Sequence, residues 1–403
     1  MKYIVILADG MADEPLESLG GRTPMEAANK PHMDALACQG VMGTARTVPL
    51  GMPPGSDTAN MAVMGFDPRR YYSGRSPLEA VAMGIDLRDD DVTFRTNLVC
   101  LTEEERYEDK TMVDFSAGEI STEEAVQLVE AVQSLIPTGM QLYPGISYRH
   151  CLVCSRSLTG TKLTPPHDIT GKPIKDCLPK GLYGKELCAL QEASHKLLKE
   201  HPVNLRRVAE GKRPANSLWF WGEGTKPRFD RLEKLYGVQG GVVCAVDLIK
   251  GLGLCAGMEA PAVAGATGGM VTDYRGKADM ALKLLREGCD LVYIHIEAPD
   301  ECSHHGNCQG KIAAIEAIDR EILGHIQKEL EGEPYRILLL PDHPTPIARM
   351  THTAEPVPFV LFDSREKGEK SRRYTEKEAA ASGLHLPLGH ELMKALIKGG
   401  LTE

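Results

Sequence analysis

The residues with the clearest chemical potential are carboxylates and imidazoles that follow predicted β-strands. Six of them stand just beyond short apolar runs: Asp9, Asp300, His304, Asp342, His343 and His352. Eight of the 13 histidines lie between His295 and His390, so the imidazoles are concentrated in one part of the chain. Because the carboxyl ends of parallel strands meet at one edge of a sheet, we expect these side chains to converge there. A single Asp-x-x-x-His spacing is weak evidence, but the joint pattern predicts a metal centre.

The mixture of carboxylates and imidazoles limits the choice of metal. It suits Mn²⁺, Zn²⁺ or Fe²⁺ better than the hard ions, which bind imidazole poorly. Six protein ligands are too many for one catalytic ion that must keep an open coordination position, so we expect two divalent ions. Mn²⁺ is the expected ion, with Zn²⁺, Mg²⁺ and Co²⁺ as alternatives. His305 is an alternative ligand to His304, and His295 and Glu297 are either core residues or neighbours of the ligands.

Ser56 is the candidate nucleophile. The run Pro53-Pro54-Gly55-Ser56-Asp57 places this serine at the start of a predicted helix, after a glycine turn. Backbone N–H groups and the helix dipole favour an alkoxide or a phosphoryl group at such a position. Coordination to a metal would lower the pKa of the hydroxyl further. The alternative is that Ser56 is only an N-cap.

The elements that must position these residues form a mostly parallel α/β sheet. Strands are predicted at 3–8, 241–245, 262–264, 291–296, 337–340 and 357–362. Helices are predicted at 23–39, 56–64, 278–287 and 311–330. Short apolar strands that alternate with helices indicate parallel pairing with helices on both faces. The region between lacks this alternation, although it has predicted strands at 92–101 and 145–153 and helices at 121–134 and 182–200. We therefore predict a split catalytic domain (1–80 and 225–403) with an inserted α+β substrate-binding lid domain (81–224).

Composition excludes several other classes of protein. The chain has 403 residues, 42% hydrophobic and 25% charged, which is ordinary for a globular protein of about two domains. The net charge of −10 comes without a basic block, so no nucleic-acid or membrane partner is expected. The N-terminus lacks a signal-peptide layout and no run is long enough to span a membrane, and the 11 scattered cysteines fit a reducing cytoplasm. Cys151 and Cys154 are expected to be residues of a strand. No phosphate-loop motif for nucleotides is present.

Together these motifs resemble the archaeal type of cofactor-independent (2,3-bisphosphoglycerate-independent) phosphoglycerate mutases, in the alkaline phosphatase superfamily. The resemblance extends over nearly the full length. It is carried by Asp9-Gly10, by Pro-x-Gly-Ser-Asp at Ser56, by Gly-Arg-Ser-Pro-Leu-Glu-Ala at 74–80, by Ala-Pro-Asp-Glu-x-x-His at 298–304 and by Pro-Asp-His-x-Thr-Pro at 341–346. It implies an alkaline-phosphatase-like sheet with an inserted lid. It also implies a cytoplasmic enzyme of glycolysis and gluconeogenesis that acts on a small phosphorylated metabolite, as a monomer or homo-oligomer.

The resemblance also implies roles for individual residues. One ion would bind Asp9, Ser56, Asp342 and His343, and the other would bind Asp300, His304 and His352; the motif spacing favours His304 over His305. Ser56 would accept the phosphoryl group from 3-phosphoglycerate and return it to the other oxygen of the glycerate. By position, the candidate substrate-binding residues are Asn97, Glu119, Arg149, His150, His167, Asp168 and Lys277, of which Lys277 would neutralise the phosphoryl charge.

One segment departs from the family pattern. Mutases of this type are expected to carry an arginine-rich stretch where this chain has Asp114-Phe115-Ser116-Ala117-Gly118-Glu119. Arginine suits a carboxylate and a phosphate, whereas Glu119 would suit an ammonium group. A similar subgroup has been proposed to phosphorylate homoserine, which is the alternative function. A metal-dependent phosphatase is disfavoured because a lid would exclude water, and a non-catalytic scaffold would not need six ligands and a placed serine.

Overall fold

The chain divides into two compact units. The computed structural model describes residues 1–155, 158–366, 368 and 372–401. One unit comprises Met1–Tyr72 and Arg228–Glu403, and the other comprises Ser73–Pro227. The second unit begins before the predicted residue 81, because the helix Ser76–Ala82 packs on strands of that unit. None of the described helices is long and apolar enough to cross a membrane.

The strands and helices are numbered along the chain. The strands are β1 (Lys2–Ala8), β2 (Val41–Ala45), β3 (Asp91–Leu101), β4 (Met112–Asp114), β5 (Met140–Tyr143), β6 (Arg149–Ser155), β7 (Thr161–Lys162), β8 (Lys180–Gly181), β9 (Ser217–Thr225), β10 (Gly240–Val243), β11 (Leu291–Ile296), β12 (Tyr335–Leu340), β13 (Val357–Asp363) and β14 (His385–Leu386). The helices are α1 (Pro24–Ala27), α2 (Pro31–Gln39), α3 (Ser56–Val63), α4 (Pro68–Tyr71), α5 (Ser76–Ala82), α6 (Thr122–Val132), α7 (Gly184–Leu198), α8 (Pro202–Ala209), α9 (Leu232–Tyr236), α10 (Asp247–Cys255), α11 (Tyr274–Glu287), α12 (Ala298–His304), α13 (Cys308–Ala317), α14 (Gly324–Glu329), α15 (Glu376–Ala381) and α16 (Glu391–Lys398).

The first unit is built on a seven-stranded, mostly parallel sheet, which confirms the predicted α/β class. Its strand order is β10-β11-β1-β12-β13-β2-β14, and only β13 runs antiparallel to its neighbours. One face packs against α2, α11 and α13 in a core that contains Ile4, Ile294 and Ile337. Val5 and Leu7 point to the opposite face and are also fully buried. Because both faces are covered, the central strands are continuously apolar.

The second unit contains an antiparallel sheet in the order β4-β3-β6-β5, with β9 paired to the other side of β3. All of β3 is buried. Helices α6 and α7 contribute to the core on one face, and α5 packs on the other. Cys151 and Cys154 are buried residues of strand β6, as the sequence predicted.

Five sequence predictions of elements need correction. Residues 262–264 form no strand, and residues 217–225, where no strand was predicted, form β9. The predicted strand at 145–153 begins only at Arg149. The helix predicted at 23–39 is broken before Pro31, because the ring of proline cannot continue a helix from the preceding turn. The helix predicted at 311–330 contains a π-helical turn, Ile318–Leu323, between α13 and α14.

Candidate metal and nucleophile site

Three neighbouring strands deliver the candidate ligands to one edge of the sheet. Strand β1 ends at Ala8, which pairs in register with Ile296 at the end of β11, while Leu7 pairs with Leu340 at the end of β12. The residues that follow these strand ends therefore emerge side by side. Asp9 follows β1, α12 follows β11, and Asp342 and His343 follow β12. This arrangement is the one expected from parallel strands.

Asp9, Asp342 and His343 form the first donor cluster, which is buried. One donor atom from each lies within 4.8 Å of the others. The Nε2 atom of His343 lies 3.6 Å from Asp9 Oδ1 and 3.4 Å from Asp342 Oδ2. Burial lowers the pKa of His343, and this effect exceeds the rise caused by the negative charge of Asp342. The imidazole is therefore neutral at pH 7. A neutral imidazole nitrogen beside two carboxylates is a donor set for a divalent cation.

Ser56 lies beside this first cluster. Its Oγ atom is 3.2 Å from His343 Nε2. Gly55 occupies the N-cap position of α3, and the Ser56 side chain makes no capping hydrogen bond. The interpretation of Ser56 as an N-cap is therefore wrong. The half-buried hydroxyl instead faces the donor atoms, at the first residue of a helix.

The first cluster fits a cation on grounds of charge. Asp9 Oδ1 is buried and has no hydrogen-bond partner among the described residues. Burial and the nearby carboxylates of Asp342 and Asp300 raise the pKa of Asp9 well above its usual range. Three carboxylates held together away from water repel one another unless protons or a cation neutralise them. The residues present therefore fit a divalent metal ion.

Asp300, His304 and His352 form the second donor cluster, which is half-buried. Asp300 Oδ2 lies 3.2 Å from His304 Nε2, and Asp300 Oδ1 lies 3.5 Å from His352 Nε2. The two Nε2 atoms are 3.0 Å apart. The Nδ1 atom of His304 is 3.0 Å from the carbonyl oxygen of Met350, which can only accept a hydrogen bond, so Nδ1 carries the proton and Nε2 faces the cluster.

The two clusters are adjacent. The rings of His343 and His352 have centroids 4.1 Å apart. His305 instead directs Nδ1 to the carbonyl oxygen of Glu301, 2.9 Å away, and its side chain is 70% exposed. His304 therefore belongs to the second donor cluster and His305 does not, in line with the preference drawn from the motif spacing.

Asn60 is a site residue that the sequence analysis missed. Its amide nitrogen donates to Asp342 Oδ2 (2.8 Å) and to the backbone oxygen of Ser56 (2.9 Å). The hydroxyl of Tyr293 donates to Asn60 Oδ1 (2.7 Å), which fixes the orientation of the amide. The available sequence signal was a lone asparagine in the run Ala59-Asn60-Met61-Ala62-Val63, because asparagine is a poor helix former.

Behind Asp9 lies a buried chain of charged groups. His295 Nε2 lies 3.2 Å from Asp9 Oδ2, and His295 Nδ1 lies 3.0 Å from Glu297 Oε1. Lys277 Nζ donates to Glu297 Oε2 (3.1 Å) and to the carbonyl oxygen of His295 (3.0 Å). Lys277 is fully buried. This corrects its predicted role in binding substrate, because its ammonium group is already paired inside the protein.

Three of the predicted substrate residues lie near one another in the second unit. Asn97 and Arg149 pair across β3 and β6 and therefore point to the same face. The indole N–H of Trp221 donates to Asn97 Oδ1 (2.9 Å), and the ring of His167 lies 5.1 Å from that of Trp221. The guanidinium of Arg95 lies 4.4 Å from the Trp221 ring centroid.

The other predicted substrate residues of the second unit lie elsewhere. His150 points to the opposite face of the sheet from Arg149, where it is buried and accepts a hydrogen bond from the Gly145 N–H (3.0 Å). This burial corrects its predicted contact with substrate. Glu119 is exposed, at a positive φ of 50°, after a turn in which Asp114 pairs with Arg213. Asp168 is exposed next to His167.

Fold and site together define the class of this protein. It is an α/β protein whose mostly parallel sheet gathers a serine hydroxyl and two clusters of metal-type donors at its carboxyl edge.

The comparisons agree on one family. The family model described as 2,3-bisphosphoglycerate-independent phosphoglycerate mutase matches residues 37–204. Curated mutases of that name from Methanothrix thermoacetophila and Methanosarcina acetivorans are 49% and 47% identical, each over 99% of this chain and 100% of the relative. A solved Pyrococcus horikoshii protein has a TM-score of 0.81 at 30% identity, covering 98% of this chain and 96% of its own.

A second solved structure is named as a phosphoglycerate mutase. The cofactor-independent phosphoglycerate mutase of Thermoplasma acidophilum has a TM-score of 0.65 at 25% identity, covering 98% of this chain and 99% of its own. The chain belongs to the 2,3-bisphosphoglycerate-independent phosphoglycerate mutases, a family of enzymes, as its motifs predicted.

Proposed function

We propose that this enzyme interconverts 3-phosphoglycerate and 2-phosphoglycerate through a phosphoserine at Ser56, without bisphosphoglycerate, in glycolysis and gluconeogenesis. The observation that carries the proposal is the position of the Ser56 hydroxyl, 3.2 Å from His343 Nε2 at the edge of the buried donor cluster. The names of the full-length relatives support the substrate. A nucleophile beside two donor clusters supports the chemistry.

The reaction consists of two transfers. Ser56 loses its hydroxyl proton and Oγ attacks phosphorus, the bond from phosphorus to O3 of the glycerate breaks, and O3 takes up a proton. The O2 hydroxyl of the same glycerate then loses its proton and attacks the phosphoserine, and the bond to Oγ breaks. Ser56 regains a proton, so no phosphate or proton is consumed. The helix start at Ser56 favours the phosphoryl group through its backbone N–H groups.

We propose that the enzyme binds two divalent ions, with Mn²⁺ as the expected metal. Asp9, Ser56, Asp342 and His343 would hold one, and Asp300, His304 and His352 the other. When bound, such ions favour the serine alkoxide and neutralise charge on the transferring phosphoryl group. The support is the pair of donor clusters and the buried, unpartnered Asp9 Oδ1 among the described residues.

An anionic substrate is favoured over the ammonium of homoserine by the charges in the second unit. Arg75 and Arg95 share a single carboxylate oxygen of Glu79, at 3.1 and 2.6 Å. Burial lowers the pKa of Arg95 to about 10. The charges of Arg75 and Arg149 also lower this pKa, whereas Glu79 raises it. Two guanidinium groups share one carboxylate, and Arg149 lies close enough to affect Arg95, so this excess of guanidinium charge suits a carboxylate or phosphate ligand. Arg149 and His167 remain our candidates for substrate contacts. Asn97 does not, because it is buried and its amide is already bonded to the Phe115 carbonyl oxygen and to Trp221.

Phosphorus NMR on Mn²⁺-loaded protein tests the function. One sample holds 3-phosphoglycerate alone, and we expect 2-phosphoglycerate to appear. Ser56→Ala should reduce this conversion to below a few per cent while leaving the metal content unchanged, because the hydroxyl is the acceptor of the phosphoryl group. Ser382→Ala is the matched control and should convert normally, because the Ser382 hydroxyl bonds the Ala379 carbonyl oxygen and the Leu384 N–H, away from the donor clusters.

A second NMR sample, with homoserine and ATP, tests the alternative. O-phosphohomoserine in this sample, without conversion of 3-phosphoglycerate in the first, would replace the mutase by a kinase. Conversion by Ser56→Ala at wild-type rate would remove the phosphoserine from the mechanism.

A further inference from the structure

Thr345 is a fully buried threonine that contacts one donor residue of each cluster. Its hydroxyl donates to Asp300 Oδ1 of the half-buried cluster, at 2.5 Å. Its Oγ atom also lies 3.2 Å from Nδ1 of His343, which belongs to the buried cluster. Thr345 offers no atom to either ion in the assignment above, so its place between the clusters calls for a separate explanation.

The directions of these hydrogen bonds follow from elementary chemistry. A carboxylate only accepts, so the single proton of the Thr345 hydroxyl is committed to Asp300. The lone pair of Oγ must then accept from His343, which places a proton on Nδ1 of that ring. The other ring nitrogen, Nε2, is left unprotonated and faces Asp9, Asp342 and Ser56. One hydroxyl therefore orients a carboxylate in one cluster and sets the imidazole tautomer in the other.

The backbone holds Thr345 in this position from two sides. Its N–H donates to the Ala12 carbonyl oxygen (3.2 Å), and its own carbonyl oxygen accepts from Lys311 Nζ (3.0 Å). Lys311 is paired with Asp13 at 2.7 Å, and neither side chain is exposed to solvent. The Thr345 hydroxyl consequently has little freedom to move away from the two donors.

Gly10 closes the remaining space around the hydroxyl. It adopts a φ of +60°, and a Cβ atom there would lie 2.6 Å from Thr345 Oγ and 2.5 Å from Asp300 Oδ1. Any side chain at this position would therefore push the threonine or the carboxylate aside. Glycine at position 10 therefore allows Thr345 and Asp300 to lie close to the backbone there.

We infer that Thr345 is a positioning residue that couples the two metal clusters. This inference rests on the two-ion proposal above. An ion bound to Asp300 fixes the carboxylate that accepts from the Thr345 hydroxyl, and the fixed hydroxyl keeps the proton of His343 on Nδ1. An ion bound to His343 stabilises the position of Asp300 through the same two hydrogen bonds. Loss of the hydroxyl should weaken the binding of both ions, although Thr345 binds neither.

Calorimetric titration of metal-free protein with Mn²⁺, with the bound metal counted after dialysis, tests the inference. Thr345→Val keeps the shape and removes the hydroxyl, and we expect both ions to bind about 10- to 100-fold more weakly, as for other residues that orient metal ligands. Thr345→Ser keeps the hydroxyl and should bind close to wild type. Thr93→Val, at a fully buried threonine of the second unit, is the matched control and should not change binding.

Three results would bear on the inference in different ways. Wild-type binding of both ions by Thr345→Val, or weakening of only one, would overturn the coupling while leaving the two-ion proposal intact. Failure of the wild-type protein to bind two Mn²⁺ ions would overturn the two-ion proposal itself. If Thr345→Val does not fold, Thr345→Ser and Thr345→Ala differ only in the hydroxyl and provide the same comparison.

Discussion

At the residue scale, His150 shows how burial alone changes the chemistry of a side chain. Its Nδ1 atom accepts from the Gly145 N–H, and its buried Nε2 has no hydrogen-bond partner among the described residues. Burial lowers the pKa of His150 to about 3 from an ordinary value of 6.5. Between about pH 3 and pH 6.5, His150 is therefore neutral in the folded protein and protonated in the unfolded chain.

The sign of the resulting pH dependence follows from this difference. Between about pH 6.5 and pH 3 the unfolded state binds more protons at this site, so the free energy of unfolding falls as pH falls, by up to about 1.4 kcal/mol per pH unit. We expect His150→Asn, which keeps an acceptor for the Gly145 N–H, to show a weaker decrease between pH 6.5 and pH 4 than the wild type. Both tryptophans belong to the second unit, so tryptophan fluorescence in urea reports its unfolding.

The exposed His385 provides the control for this experiment. His385→Asn should retain the wild-type pH dependence. Identical slopes for wild type and His150→Asn would show that His150 takes up its proton equally in both states.

At the element scale, the π-helical turn between α13 and α14 caps another helix. Asp319 in this turn accepts from the backbone N–H groups of Met33 (2.7 Å) and His32 (3.3 Å) at the start of α2. Lys30, the N-cap of α2, offers no capping side chain. A helix start needs such acceptors for its free N–H groups, and here they come from a segment about 290 residues away in sequence.

This cap predicts a specific loss of stability. Asp319→Ala should lower the free energy of unfolding by about 1–2 kcal/mol, as for other N-caps. Urea unfolding followed by far-UV circular dichroism measures it. Glu321→Ala, in the same turn, removes exposed ion pairs with Arg275 and Arg320 and should stay within about 0.5 kcal/mol of wild type. An equal effect of both variants would assign the loss to the turn rather than to the cap.

At the scale of the whole molecule, the buried carboxylates link stability to metal. Asp9, Asp342 and Asp300 repel one another in the metal-free protein, and a bound ion removes that repulsion. We expect EDTA to lower the thermal unfolding midpoint and Mn²⁺ to restore it, with about 2.7 kcal/mol of stabilisation when free Mn²⁺ is 100 times its dissociation constant. Thermal scans by circular dichroism measure the midpoints.

Calcium is the control ion for the thermal scans. Ca²⁺ at the same concentration should restore less stability than Mn²⁺, because imidazole is a poor ligand for hard cations. Equal midpoints in EDTA and in Mn²⁺ would contradict the metal site.

The sequence by itself determined the sheet and the residues at its carboxyl edge. Apolar runs that alternate with helices indicate a mostly parallel sheet, and parallel strands bring their ends together, so Asp9, Asp300 and Asp342 could be expected as neighbours. The motif spacing singled out His304, and the Gly-Ser-Asp turn singled out Ser56. These signals are local in sequence, so they can be recognised without the tertiary structure.

Only the tertiary structure decided which side chains face the site and which are buried elsewhere. Lys277 is an ordinary lysine in sequence, but α11 buries it against Glu297. His150 is buried because it shares a face of β6 with Leu152 and Cys154, which α6 and α7 cover, and the pairing with β3 decides which face that is. Thr345 acquires a role only because β1, β11 and β12 bring distant residues around it. Such placements depend on packing between elements far apart in the chain, which local patterns do not encode.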